Sequence, residues 1–201
     1  MWRSTVPKLL LPKILLFLDI NGSTALSEGL GALSMRALVG KFLSDLSAPI
    51  TDHNGEIYLY KGDGLIAIWN WRAGIDQESI LRSVDAMYSA VERQRAAYQK
   101  LFGIVPSFRI GIHGGEVIVS EQGDTKRSIG IYGDAINIAA RMEEVARAHN
   151  VRCIVSDAVV AALANQDRLR EIGEETVKGI STSIRVYEYQ PQVEVSGMNS
   201  V

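Results

Sequence analysis

The apolar and polar positions along the chain mark out a succession of short elements. Residues 14–20 read Ile-Leu-Leu-Phe-Leu-Asp-Ile and stop at the turn formers Asn21-Gly22-Ser23. A short apolar run so bounded predicts a buried central strand. Between residues 26 and 52, Leu33, Ala37, Phe42, Leu43 and Leu46 recur at helical spacing, with Pro49 placed to kink or shorten that helix. Asn54-Gly55 punctuates the chain. Residues 57–60 and 65–69 then read as two strands of a hairpin, with Lys61-Gly62-Asp63-Gly64 at its tip. Ile80, Val84, Met87, Tyr88 and Val91 form the stripe of a long helix over residues 77–102, with Gly103 and Pro106 as stop signals.

The second half continues with strands at 108–112 and 117–120 around Gly114-Gly115, and another at 128–132. A third helix follows over 133–150, then a strand at 151–155 and a short helix at 157–164. Two strands close the pattern, near 169–177 and 184–189. The order βαββαββαβ predicts one α/β (α+β) sandwich with helices on one side of a mainly antiparallel sheet. Residues 1–13 read as a lead-in, 14–189 as the domain and 190–201 as a flexible tail of low apolar content.

Composition narrows the class. The 201 residues suit one large domain. Lys plus Arg is 21 and Asp plus Glu is 23, a net charge of −2, which excludes a nucleic-acid binder held by bulk positive charge. With one cysteine, Cys153, the chain forms no intrachain disulfide and no zinc site built mainly on thiolates. The apolar run at residues 9–18 is about half the ~20 residues a membrane span requires. It is also broken by Pro12 and Lys13 and is not followed by a small-residue cleavage site. A reducing, cytoplasmic location fits, either for a free domain or for the cytoplasmic portion of a membrane protein.

Some residues fit this scaffold poorly unless they do chemistry. Asp19 follows the apolar run 15–18 directly, and a carboxylate there is costly unless it caps a turn, is paired or binds a cation. Asp63 sits at a glycine-flanked hairpin tip, as a turn residue or as its partner. Two carboxylates brought together repel unless a divalent cation lies between them, and hard oxygen ligands suit Mg²⁺ or Mn²⁺. Asn21-Gly22-Ser23-Thr24 is a helix start whose backbone N–H groups can also face an anion. Asn137 and Arg141 are four apart on the third helix, as a solvated edge or as an aimed pair in which Arg supplies charge to a phosphate and Asn supplies hydrogen bonds. His113 reads as a structural histidine, and Lys178 in Val177-Lys178-Gly179 is uninformative alone.

Together these segments resemble the catalytic domain of the class III nucleotidyl cyclases, the adenylate and guanylate cyclases. Phe17-Leu18-Asp19-Ile20 with Gly22-Ser23-Thr24 is similar to the family's first metal motif, and Gly62-Asp63 to its second. Residues 108–113 with Gly115 resemble the central structural strand. Residues 132–142 resemble the transition-state helix, and Val177-Lys178-Gly179 the phosphate lysine. The likeness runs over about residues 14–189 in the family's order.

The resemblance implies a ferredoxin-like βαββαβ core with additional strands. It also implies a head-to-tail homodimer with two interface active sites and a nucleoside triphosphate substrate, and no nucleic acid. One chain would supply Asp19 and Asp63, with the Ile20 carbonyl, to two Mg²⁺ or Mn²⁺ ions per site. The partner would supply Asn137 to the ribose and Arg141 to the α-phosphoryl group. Asn21, Gly22, Ser23 and Thr24 would cradle the phosphates and Lys178 would neutralise them. The implied product from ATP is 3′,5′-cyclic AMP, with pyrophosphate leaving.

Two positions depart from the family. Its base-selecting side chains fall at Leu59 and Gly130 here, and neither can hydrogen-bond a purine edge. Adenylate cyclase is the favoured reading. A guanylate or mixed-specificity cyclase, and a degenerate domain that binds nucleotide without turnover, stay open. A diguanylate cyclase is disfavoured, because Val117 and Ile118 follow Gly114-Gly115-Glu116. Fusion to a membrane or sensor segment outside this chain is compatible with all of these.

Overall fold

The computed structural model describes residues 9–72, 77–123, 128–176 and 183–194. The chain starts with strand β1 (Leu9–Ile20), then helices α1 (Ser23–Leu30) and α2 (Ala32–Thr51). The hairpin β2 (Glu56–Lys61) and β3 (Gly64–Asn70) follows, then α3 (Ser79–Arg93), α4 (Arg95–Phe102) and β4 (Phe108–Gln122). Next come β5 (Ser128–Tyr132), α5 (Asp134–Ala148), β6 (Cys153–Ser156) and α6 (Asp157–Val160). The strands β7 (Leu169–Thr176) and β8 (Ser183–Tyr189) end the sheet. Its order is β2-β3-β1-β4-β6-β8-β7, with β5 on β4, and among the described pairings only β4 with β6 is parallel. The first four strands, in the order β2-β3-β1-β4, are the ferredoxin-like βαββαβ core.

Successive strand residues face opposite sides of the sheet. Leu16, Leu18, Ile110 and Ile112 point to one side, where they join Phe42 and Leu46 of α2 and Val84 and Met87 of α3 in the main core. Leu15, Val117 and Ile131 point to the other, where they meet Ala135 and Ala139 of α5. The one-sided arrangement of helices is therefore corrected: α5 lies on the opposite face from α2 and α3. Gly111 makes this possible. A Cβ there would sit 2.3 Å from the Glu143 backbone nitrogen and 2.5 Å from the Met142 carbonyl carbon. Backbone cannot yield to such a clash, so Gly111→Ala should destabilise the domain by more than about 2 kcal/mol in urea unfolding.

Three elements differ from their sequence patterns. The helix over 26–52 is two helices, broken at Gly31 (φ 76°), a backbone angle few other residues tolerate. It nonetheless runs through Pro49 to Thr51. The helix over 77–102 breaks at Gln94 into α3 and α4. The two strands around Gly114-Gly115 are one strand, because those glycines serve close packing instead of a turn. A Cβ on Gly114 would lie 2.6 Å from the Trp71 ring, and one on Gly115 2.7 Å from the Ala135 methyl.

Of the tail expected from residue 190, residues 190–194 are held by polar contacts. The Gln192 N–H donates to Asp85 Oδ1 at 2.8 Å and the Glu194 N–H to Ser89 Oγ at 2.9 Å. Residues 195–201 lie outside the described residues. Among the described residues, no helix is long and apolar enough to cross a membrane.

His113 is buried within β4, with Nδ1 2.8 Å from Ser156 Oγ, as a structural histidine would be. Burial holds its pKa down to about 4, against a weaker upward pull from Asp157. The unfolded chain takes up a proton below about 6.5, which the folded chain refuses until about 4. Stability present above pH 6.5 is thus lost as the pH falls toward 4, by about 3 kcal/mol for this group. In His113→Gln that part of the pH dependence of urea unfolding should flatten.

Candidate active site

The end of β1 and the β2–β3 tip bring Asp19 and Asp63 together. Strands β1 and β3 pair up to Leu18 and Leu65, and the tip then folds over the strand end. Gly64 permits this approach, since a Cβ there would lie 2.1 Å from the Leu18 carbonyl oxygen and 3.0 Å from Asp19 Oδ1. The Asp19 pKa is raised to about 6, first by removal from water, then by the negative charges of Asp63 and Glu143. Arg147, 3.7 Å away, pulls it down. Asp63 Oδ2 is buried with no hydrogen-bond partner. An unsatisfied carboxylate oxygen facing a second carboxylate is a poor arrangement for a bare protein and a good one for a divalent cation.

Among the described residues no group of three or more acidic, His or Cys side chains is arranged to hold a metal ion. Further ligands to a cation at Asp19 and Asp63 would therefore be carbonyls, water or substrate oxygens, as suits Mg²⁺. Ile20, whose carbonyl is one candidate, is the buried last residue of β1.

Asp19 and Asp63 line a cleft of about 380 Å³ together with Lys61, Ala140, Glu143 and Glu144. One side of α5 thus faces its own chain's carboxylates. Asn137 and Arg141 are not on that side. Both are exposed, and Arg141 Nη1 pairs with Glu144 Oε1 at 2.5 Å. Within one chain the structure brings Asp19 and Asp63 together and leaves Asn137 and Arg141 out of their cleft.

Glu143 and Arg147 were not singled out from the sequence. They form an ion pair at 3.1 Å beside Asp19. Their i, i+4 spacing was the available signal.

The Asn21–Thr24 turn needs one correction. The Asn21 N–H already donates to the Ser107 carbonyl at 2.9 Å, because β1 still pairs with the chain ahead of β4 there. The Asn21 side chain is also engaged, donating to Ser107 Oγ at 2.9 Å and accepting from Arg109 Nη1 at 2.6 Å. Of the N–H groups expected to face an anion, those of Gly22, Ser23 and Thr24 remain as candidates. Gly22 takes the left-handed conformation (φ 66°) and the N-terminus of α1 has no side-chain cap. Ser23, Thr24 and Asp63 line a second cleft of about 570 Å³, which shares the hairpin tip with the first. Lys178 lies outside the described residues.

Leu59 and Gly130 flank a third cleft on the sheet face that α5 leaves open. Leu59 is half-exposed and lines this groove of about 550 Å³ with Leu11, Tyr58, Ile68, Ile129 and Ile131. Gly130 is buried, and a Cβ there would meet the Tyr132 ring at 2.6 Å. A side chain at 130 therefore requires the half-exposed Tyr132 ring to move.

Fold and site together define a ferredoxin-like domain with two facing carboxylates at the end of its first strand. Residues 13–190 match the family model described as the adenylate and guanylate cyclase catalytic domain. The chain belongs to this family. It is 30% identical over 176 residues to adenylate cyclase 2 of Rhizobium meliloti (strain 1021), covering 87% of this chain and 48% of that protein. The chain thus spans about half the length of that relative. Its fold is similar to a bacterial light-regulated adenylyl cyclase (TM-score 0.81, 24% identity, 94% of this chain and 55% of that one). It is also similar to the guanylyl cyclase Cya2 (TM-score 0.76, 24% identity, 94% and 96%). Metal dependence and dimerisation are typical of the family.

Proposed function

We propose that residues 14–189 form the catalytic domain of a homodimeric adenylate cyclase. It converts ATP to 3′,5′-cyclic AMP and pyrophosphate, in a cytoplasmic setting. One observation supports the shared site: Ala140 and Glu143 of α5 line the cleft of their own chain's carboxylates and Arg147 lies beside Asp19, while Asn137 and Arg141 are exposed and line no part of that cleft. A head-to-tail pair related by a two-fold axis satisfies both halves, giving two sites per dimer.

In the reaction the ribose 3′-oxygen forms a bond to the α-phosphorus. The bond from that phosphorus to the β-phosphate bridging oxygen breaks, and the hydroxyl proton is lost to solvent. Asp19 and Asp63 would hold divalent cations, Mg²⁺ or Mn²⁺, two per site. These supply charge that acidifies the ribose hydroxyl and offsets the phosphates. The N–H groups of Gly22, Ser23 and Thr24 would face the phosphate oxygens. Arg141 leaves its exposed partner Glu144, a pair of small worth in water, and places its charge beside the α-phosphoryl oxygens as negative charge grows there. Asn137 holds the ribose, and Lys178 carries positive charge for the terminal phosphates.

A second reading, guanylate or mixed cyclase, draws support from Leu59 and Gly130, which leave the base unread by the usual side chains. The test is incubation of the chain with Mn²⁺ and either ATP or GTP, followed by detection of cyclic monophosphate and pyrophosphate. Cyclic AMP is the expected main product. Absence of both cyclic products, at concentrations where the dimer is verified, refutes the enzyme.

A further inference from the structure

The register of β2 against β3 slips between Ile57, opposite Ala67, and Leu59, opposite Ile66. Two steps on β2 match one on β3, so Tyr58 is the extra residue of a bulge. A bulge re-aims the side chain it carries. Here the Tyr58 hydroxyl reaches across to the free edge of β5. It donates to the Ile129 carbonyl at 3.1 Å and accepts from the Ile131 N–H at 3.1 Å. These are the backbone groups on either side of Gly130.

A phenol oxygen has one proton to donate and two lone pairs. The proton and one lone pair are used, and one lone pair remains. It belongs to a groove whose walls are otherwise largely apolar: Leu11, Leu59, Ile68, Ile129 and Ile131. Lys13 and Glu56 also line the groove, and the Lys13 ammonium gives one of its three N–H donors to Asn70 Oδ1. Apolar walls with few polar groups suit a flat heteroaromatic ring. The β5 wall runs through Gly133 directly into α5, which carries Asn137 and Arg141. Base, ribose and α-phosphate would therefore lie along one continuous stretch of chain.

We propose that Tyr58 is the base-discriminating residue of this domain. Its hydroxyl, held in a bulge against the β5 backbone, accepts a hydrogen bond from the 6-amino group of a purine and disfavours a 6-oxo group. This rests on the nucleotide-binding part of the proposed function. A hydroxyl whose proton is held by the Ile129 carbonyl gains a hydrogen bond from an amino group, whereas facing a carbonyl it is left unpaired or must take its proton away from Ile129.

The test is competition of purine nucleoside triphosphates against a fluorescent ATP analogue, scored by binding with no turnover required. The competitors are ATP, GTP and purine riboside triphosphate, which lacks the 6-substituent. The wild-type chain should hold ATP roughly five- to tenfold more tightly than purine riboside triphosphate. In Tyr58→Phe that ratio should fall to about one, and the preference for ATP over GTP should shrink by a similar factor. An unchanged ratio in a folded Tyr58→Phe protein overturns the proposal. If that variant fails to fold, the wild-type series decides, since no preference for the 6-amino purine has the same force. A wild-type chain that binds all three nucleotides and cyclises none refutes the cyclase, while Tyr58 is still judged by its ratios. A wild-type chain that binds none of them removes both.

Discussion

Asp63→Asn should keep its fold and lose its turnover, by roughly 10³-fold, or about 4 kcal/mol of transition-state stabilisation. Asparagine has nearly the shape of aspartate, so the hairpin tip and Gly64 can stay against the end of β1. The substitution removes the charge that repels Asp19, and the Asp19 pKa should move part of the way down, since burial remains as its largest cause. In metal-free buffer the variant should therefore be as stable as the wild type, or more so. Manganese should reverse that order. A cation that binds the folded site and not the unfolded chain raises the melting temperature, and it should do so for wild type and much less for Asp63→Asn. Turnover near the wild-type rate in a folded Asp63→Asn chain would remove this carboxylate from the mechanism.

The second large effect is complementation. Asp19→Ala and Arg141→Ala should each be nearly inactive alone. For Arg141→Ala the loss should fall on kcat, by about 10²- to 10³-fold, with KM little changed, because its charge meets negative charge that develops only in the transition state. Mixed in equal amounts, random pairing makes half of the dimers heterodimers. Each of these has one site with both sets of wild-type residues and one site with neither. The mixture should thus recover about a quarter of wild-type activity, a symmetry consequence independent of how inactive the parents are. A site built within one chain predicts no recovery, so the assay separates the two architectures. It should be run beside a dimerisation measurement, since chains that do not exchange partners stay inactive for a trivial reason.

Much of this was legible from residue order because each feature left a local mark. The apolar run ending in Asp19 and the glycines bracketing Asp63 announced a strand end and a tip. The i, i+4 spacing of Asn137 and Arg141 announced a shared helix face. What stayed hidden depended on contacts between distant segments. Gly114 and Gly115 look like a turn, and only the Trp71 ring and Ala135 explain why they sit inside a strand. Tyr58 looks like any strand aromatic until a bulge sends its hydroxyl to β5. Arg147 looks like a solvated helix end until the fold sets it 3.7 Å from Asp19. The chain after Gln190 has few apolar residues, and its attachment through Asp85 and Ser89, with Val193 against the core, is long-range.

The placement of α5 has a consequence for how the two halves of a dimer behave. This helix, seated against Gly111, carries Glu143 and Arg147 beside its own chain's carboxylates, and in the proposed dimer it would also bring Arg141 to the partner's. In the proposed dimer each such helix is a beam resting on both active sites at once. A substitution that unseats α5 in one chain should therefore be felt at both sites of the proposed dimer.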